Sequence, residues 1–315
     1  MHMIARKALR APATARLRRG FTLVEMLIVM VLLTIIGGSL MGLLAKQQRF
    51  YQGTADLGDL RSQLRQAEAV VSNDLRGMSS VGSDITAMTD SSIDFWYTIG
   101  SSIACSAPTQ TLTLPPLSLA NGSTLTTWIQ TPMVGDSVYI FDDGGSTTTS
   151  LDDQWRFYRV AAVDSTLGGC LAPYTQAADA TKYSYTITLS VAASGTIRAG
   201  AAVRFVRPAH YSLYQSTGDN LWYLGYTCPS CNTGGTILPI AGPFLPYTAA
   251  STPDMSGIRI TYFDSTNTAT ALPAQVARIN IVLRGQTRGY LNVTGLKRGV
   301  YTDSVRMDIA VRNRS

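Results

Sequence analysis

The sequence predicts an α+β fold in which one long N-terminal α-helix packs on a β-rich antiparallel head. Three observations carry this expectation. Phe21 to Ala45 is an apolar run of 25 residues with one charged side chain, Glu25. The helical period then continues to Met78 as an apolar stripe on a polar helix, and no proline occurs between Ala13 and Ala107. From about Val81 the chain becomes rich in Ser, Thr, Gly and Tyr and breaks into short alternating segments with no strand–helix–strand pattern.

Residues 1–20 contain Arg6, Lys7, Arg10, Arg16, Arg18 and Arg19 and no acid. They account for the whole net charge of +6, because the rest of the chain has 20 basic and 20 acidic groups. The high pI therefore describes a short leader and does not point to nucleic acid. The apolar run, residues 21–45, reaches about 37 Å as a helix, against roughly 30 Å of bilayer hydrocarbon. It is too long for a secretory signal, no A-x-A-like cleavage site accompanies it, and no cysteine follows it as in a lipoprotein anchor. The basic flank keeps residues 1–20 in the cytoplasm and exports everything beyond Ala45.

Residues 46–80 read as the amphipathic half of the same helix. Phe50, Leu57, Leu60, Leu64, Ala67, Val71, Leu75 and Met78 form its apolar stripe. The whole helix, from Phe21 to about Met78, is expected to be roughly 85 Å long. Gly37, Gly38 and Gly42 each weaken it by about 1 kcal/mol relative to alanine, which predicts a bend or local melting there.

Residues 81–315 form the head. Strands are expected at 93–97, 137–141, 155–163, 183–191, 202–206, 258–263, 277–283 and 304–311. The clearest hairpin is "HYSLYQSTGDNLWYLGY", residues 210–226, which turns through Ser216 to Asn220.

Few residues offer chemistry. The four cysteines, Cys105, Cys170, Cys228 and Cys231, all lie in the exported part and predict two disulfides from three pairings. "CPSC" at 228–231 has the spacing of a redox dithiol but follows a strand and precedes a turn-rich loop. A structural Cys228–Cys231 bridge is therefore expected, which leaves Cys105 with Cys170. "DDGGSTTTSLDD" groups Asp142, Asp143, Asp152 and Asp153, weak calcium candidates whose spacing fits a solvated hairpin tip better. His210 is the only histidine after the leader, and no carboxylate pair has catalytic spacing, so neither an enzyme nor a cofactor is expected. Eight basic and two acidic groups in residues 275–315 suggest a docking surface or plain solubility ahead of a DNA-contacting face.

"RRG" followed by "FTLVEMLIVMVLL" resembles the class III signal of type IV pilins and type II secretion pseudopilins. The resemblance implies that a membrane prepilin peptidase cuts between Gly20 and Phe21 and that Phe21 is N-methylated. It also implies that Glu25 is an assembly residue, pairing with the Phe21 amine of an adjacent subunit. At about 4 Å and an effective dielectric near 20, that attraction is of order 4 kcal/mol before desolvation. Cleavage would leave 295 residues, large for a major pilin. "VRPAHYSLYQSTGDNLWYLGY" and the terminal "DSVRMDIAVRNRS" are similar to PilW-type minor pilins. A pilin-like fold follows, with a role in initiating a type IV pilus or sitting at its tip, in adhesion, twitching motility or DNA uptake. The implied partners are other minor pilins and the major pilin through the N-terminal helix, the prepilin peptidase, and the inner membrane before assembly. A J-type pseudopilin of a type II secretion system, and a membrane-anchored exported binding protein, are the alternatives.

Overall fold

The structure, a computed structural model, describes residues 20–78, 84–145, 150–170, 173–229, 236–249, 255–291 and 299–311. Residues 1–19, Cys231, Lys297, Arg298, Arg312 and Arg314 lie outside the described residues. A single helix, α1, runs from Leu23 to Arg76 over 54 residues, so its ends fall within two residues of the expected ones. It passes through Gly37, Gly38 and Gly42, where a bend or local melting is expected from the sequence, as continuous helix. Three glycine penalties of about 1 kcal/mol each do not interrupt a cooperative helix of 54 residues.

Among the described residues, thirteen antiparallel strands join into one sheet. In chain order these are β1 (Ile85–Met88), β2 (Ser92–Ile103), β3 (Thr111–Leu114), β4 (Thr127–Trp128) and β5 (Ser137–Asp142). Then come β6 (Gln154–Leu167), β7 (Tyr183–Leu189), β8 (Ala202–Gln215), β9 (Trp222–Thr227) and β10 (Leu238–Phe244). The last are β11 (Ile258–Phe263), β12 (Arg278–Gln286) and β13 (Thr302–Ala310). The main path is β11-β12-β10-β9-β8-β5-β6-β7-β3, with β2 on the other edge of β8 and β13 on the other edge of β12.

β8 organises the head. One of its edges pairs with β2 from Ala202 to Ser212. The other pairs first with β5, at Val203 to Val206, and then with β9, at His210 to Gln215. Pro208 falls in the gap between those two partners, where a strand tolerates a residue with no N–H. The β8–β9 turn follows the sequence expectation, and Asn220 takes φ 58°, a left-handed conformation asparagine accepts.

Two cores result. The first joins Leu60, Leu64, Ala67, Val71, Leu75 and Met78 of the helix region to Phe95, Tyr211, Leu224, Phe244, Ile260, Ile281 and Met307. α1 lies against β13, β10, β12 and β2. The helix approaches β12 closely at Gly285, where an added Cβ would sit 2.5 Å from Leu60 Cδ1. The burial stripe begins lower on the head than the sequence pattern implies: Phe50 is 55% exposed, and Leu57 is half-buried. The second core, away from the helix, is built from Ile99, Leu112, Leu114, Val138, Ile140, Val160, Ile187, Leu189, Val203 and Phe205.

Tyr97 packs on both cores, and Arg207, its cross-strand partner, is buried beside it. Arg207 makes a two-pronged ion pair with Asp136, Nε to Oδ1 at 2.7 Å and Nη2 to Oδ2 at 2.7 Å. It also donates to the Gln130 side chain. These hydrogen bonds to Asp136 outweigh burial and raise the Arg207 pKa, so the guanidinium stays charged. The helix is tied to β8 by a part-buried contact, in which the Tyr211 hydroxyl donates to Asp74 Oδ2 at 2.5 Å.

The Cys105–Cys170 disulfide forms in the lobe around the second core, with Cα atoms 5.4 Å apart and a sequence separation of 65. The Cys105→Ser and Cys170→Ser double variant is expected to lose about 4 kcal/mol of stability on the chain-entropy account. Denaturant unfolding under non-reducing conditions measures it, and an unchanged midpoint would contradict the prediction.

Burial raises the Asp74 carboxyl above its ordinary value, and the Tyr211 and Asn73 hydrogen bonds offset this only in part. A carboxyl with a raised folded-state pKa binds its proton more tightly when folded. Its contribution is therefore fully favourable below the ordinary aspartate value and is lost as pH rises through the folded value. Asp74→Asn is expected to remove that loss, so its stability advantage over the parent should be larger at neutral than at acid pH. Paired denaturation curves at the two pH values test the sign.

Candidate functional site

The segment expected to carry function, Gly20 to Ala45, has almost no contact with the rest of the described residues. Phe21 is 80% and Leu23 82% exposed, and the large apolar residues through Leu44 are exposed on every side of the helix. A helix apolar all round and unburied within its own chain is suited to lipid or to other helices. Length and composition allow α1 to cross a membrane. The polar side chains inside the run are satisfied locally. Thr34 Oγ1 donates to Val31 O at 2.8 Å, and Ser39 Oγ donates to Ile36 O at 2.8 Å.

Glu25 is engaged at the helix start. Thr22 is the N-cap, and its hydroxyl oxygen accepts from the Glu25 N–H at 3.2 Å. In return, Glu25 Oε2 accepts from the Thr22 N–H at 2.9 Å and from the Thr22 hydroxyl at 3.1 Å. This reciprocal arrangement satisfies two of the otherwise unpartnered amides of the first turn. Sequence reasoning missed Thr22, although the signal was present: Thr22-x-x-Glu25 before an apolar run is the capping-box pattern. The carboxylate thus has a partner in its own chain before any second subunit is considered.

Gly20 and Phe21 precede the first helical residue, so the bond between them is non-helical and exposed. A Cβ at Gly20, Gly37, Gly38 or Gly42 would meet nothing within 4 Å. Nothing in the fold of this chain requires glycine at any of the four.

The remaining candidates are placed within the head. Cys228 follows β9 and is disulfide-bonded, whereas Cys231 lies outside the described residues. Asp142 is fully buried and accepts from Arg156 Nε at 3.0 Å, Thr196 Oγ1 at 2.8 Å and the Gly144 N–H at 3.1 Å. Burial opposes its charge, but these hydrogen bonds outweigh burial and hold the carboxyl below its usual range. Asp143 lies 3.6 Å from Arg198, Asp152 is half-buried and Asp153 is exposed. Among the described residues no group of three His, Cys, Asp or Glu side chains is placed to hold a metal. His210 Nδ1 sits 2.6 Å from Asp94 Oδ1, a cross-strand pair between β8 and β2. In the basic C-terminal region, Arg278 pairs with Asp308 at 2.6 Å and lies over the Phe263 ring at 4.1 Å. Arg306 is 3.5 Å from the same Asp308, and Arg284 donates to Ser256 O at 3.0 Å.

Thr22→Val is expected to cost the helix start about 1 kcal/mol. In the micelle-solubilised protein, the Glu25 amide should then exchange with solvent roughly fivefold faster. Unchanged exchange would show that the Thr22 cap does not hold the first turn.

The description "Prokaryotic N-terminal methylation motif" matches residues 15–41. No curated protein matches the chain. Among solved structures, the Phage phi92 endosialidase aligns at 11% identity and a TM-score of 0.19, covering 70% of this chain and 33% of that one. That likeness is too slight to indicate a shared fold. The methylation motif, on a long apolar helix beneath an antiparallel head, supports a type IV pilin-like or pseudopilin protein.

Proposed function

We infer that the chain is a non-catalytic assembly subunit, a PilW-like minor pilin that helps initiate a type IV pilus or sits at its tip. The observation that carries this reading is the contrast between the two halves of α1. The second half is gripped by the head, whereas the first is apolar on every side and holds three glycines the chain's own fold does not require. Close approach between helices is a reason for small residues that monomer packing does not supply. Before assembly the helix anchors the protein in the inner membrane with the head in the periplasm. After removal of the leader at Gly20–Phe21 and N-methylation of Phe21, the same surface packs against the helices of other minor pilins and the major pilin. Glu25 then has two partners within reach of its role: its own Thr22, and the new amine of a neighbouring Phe21. The second adds a charge that the first lacks.

The test separates processing from incorporation. Replacing Gly20 with a bulky residue is expected to leave an uncleaved precursor in the inner membrane, read by intact mass. Glu25→Val is expected to insert and be cleaved normally but to co-purify less with partner pilins and give fewer surface pili. Glu25→Gln, which keeps the acceptor for Thr22 and loses the charge, separates capping from ion pairing. Wild-type incorporation of Glu25→Val would overturn the assembly role. Deleting the gene and assaying pili and protein secretion side by side distinguishes this reading from the J-type pseudopilin, for which secretion is lost and pili remain.

A further inference from the structure

Phe50 and Tyr51 are large aromatic residues on α1 that neither core uses. They are 55% and 71% exposed and touch each other edge to face, with ring centroids 6.3 Å apart. They follow Lys46 and Arg49, the first charged residues after Glu25, and precede Leu60, the first helix residue in the core of the head. A solvated stalk has no use for two adjacent exposed rings beside two cations. The headgroup layer of a bilayer does, because aromatic side chains and snorkelling cations both favour that depth.

The spacing along the helix supports that depth. Phe50 lies five residues beyond Ala45, about 8 Å of helical rise, which matches the thickness of one headgroup layer outside the hydrocarbon. Counting back from Phe50 to Glu25 gives about 38 Å, which is that 8 Å plus the roughly 30 Å hydrocarbon core, so Glu25 falls at the far hydrocarbon boundary and Thr22 about 5 Å beyond it. One register therefore places both ends of the apolar run at polar depth. The occupant is continuous with the span itself, and the two cations favour anionic headgroups.

We propose that Lys46, Arg49, Phe50 and Tyr51 form an interfacial collar seated in anionic lipid headgroups on the head side of the membrane. The collar fixes the depth of the helix so that the Thr22–Glu25 cap rests in the opposite headgroup layer and not in the hydrocarbon. The proposal rests on the reading that α1 spans the bilayer, and it specifies which residues contact which part of the lipid. The carboxylate then carries no hydrocarbon desolvation penalty before assembly, and it leaves the interface only when the helix is drawn outward.

The test uses the full chain in nanodiscs of phosphatidylethanolamine and phosphatidylglycerol, with bromine placed either near the headgroup or deep in the acyl chains. Tryptophan is introduced as Tyr51→Trp, Met26→Trp or Ile36→Trp, and the emission of the parent is subtracted. Tyr51→Trp and Met26→Trp are expected to lose fluorescence to the shallow bromines and keep it with the deep ones, and Ile36→Trp to do the reverse. If Ile36→Trp is quenched by deep bromines while Tyr51→Trp responds to neither set, the collar faces water or other copies and the proposal fails while the span stands. Quenching of Tyr51→Trp or Met26→Trp by the deep set would overturn the register. If no position responds to brominated lipid, the span reading itself falls and the collar with it.

Discussion

Leu60, Leu64, Ala67, Val71, Leu75 and Met78 close the inner face of the sheet, and the direction of everything N-terminal to them follows from that contact. A helix of 54 residues packed along only its last turns projects its remaining length away from that contact as continuous helix. The head holds it at Gly285, where β12 comes within reach of Leu60, at Arg61, whose Nε is 3.3 Å from Asp303 Oδ2, and at the Asp74–Tyr211 hydrogen bond. Burial of the leucines contributes most to this grip, at about 1.5–3 kcal/mol per large side chain. The exposed Arg61–Asp303 pair adds little.

The distal lobe is joined to that helix-bearing half through β8, which changes partner from β5 to β9 along one edge while β2 runs along the other. Ion pairs of arginines with buried carboxylates cluster around this change. Arg207 meets Asp136, and Arg204 Nη2 meets Asp84 Oδ2 at 2.8 Å while also donating to Gly77 O at 3.2 Å. Buried pairs are a poor source of net stability, but breaking one by removing a partner is costly. Here they fix geometry: Arg204 reaches from the middle of the sheet to the C-terminal cap of the helix.

Much of this was legible in the sequence because it depends on period and composition. The helix, the long strands β5 to β8 and β11 to β13, and the β8–β9 turn all follow from apolar spacing and turn residues. β10 did not, because "LPIAGPF" contains two prolines, which ordinarily demote a run from strand status, and its ladder to β9 is irregular. β1, β3 and β4 are four residues or fewer and carry too little pattern to be read. Phe50 belongs to the apolar stripe but is exposed. Periodicity reports that a face is apolar, not which neighbour covers it, and the large apolar side chains of the helix join the core of the head only from Leu60. Thr22 is legible from the Thr22-x-x-Glu25 spacing alone, because a capping box needs only a hydroxyl three residues before a carboxylate.

The same limit separates the two halves of the molecule functionally. In the head, the polar residues that suggested chemistry have structural employment: Asp142 is held by Arg156 and Thr196, His210 by Asp94, and Arg278 by Asp308 and Phe263. Gly20, Gly37, Gly38 and Gly42 have none within the chain, and neither do the exposed apolar residues around them. A glycine in a helix interior is unfavourable relative to alanine by about 1 kcal/mol, so three within six positions need a compensating contact. The described residues do not supply it. Lipid alone does not supply it either, since a bilayer is indifferent to whether a helix surface bears a Cβ or a gap. Another helix is not indifferent, because only a closely approaching backbone gains from the missing side chains. The unexplained small residues are therefore a more specific ground for the proposed helical partner than the hydrophobicity around them, and all three lie in the first half of α1.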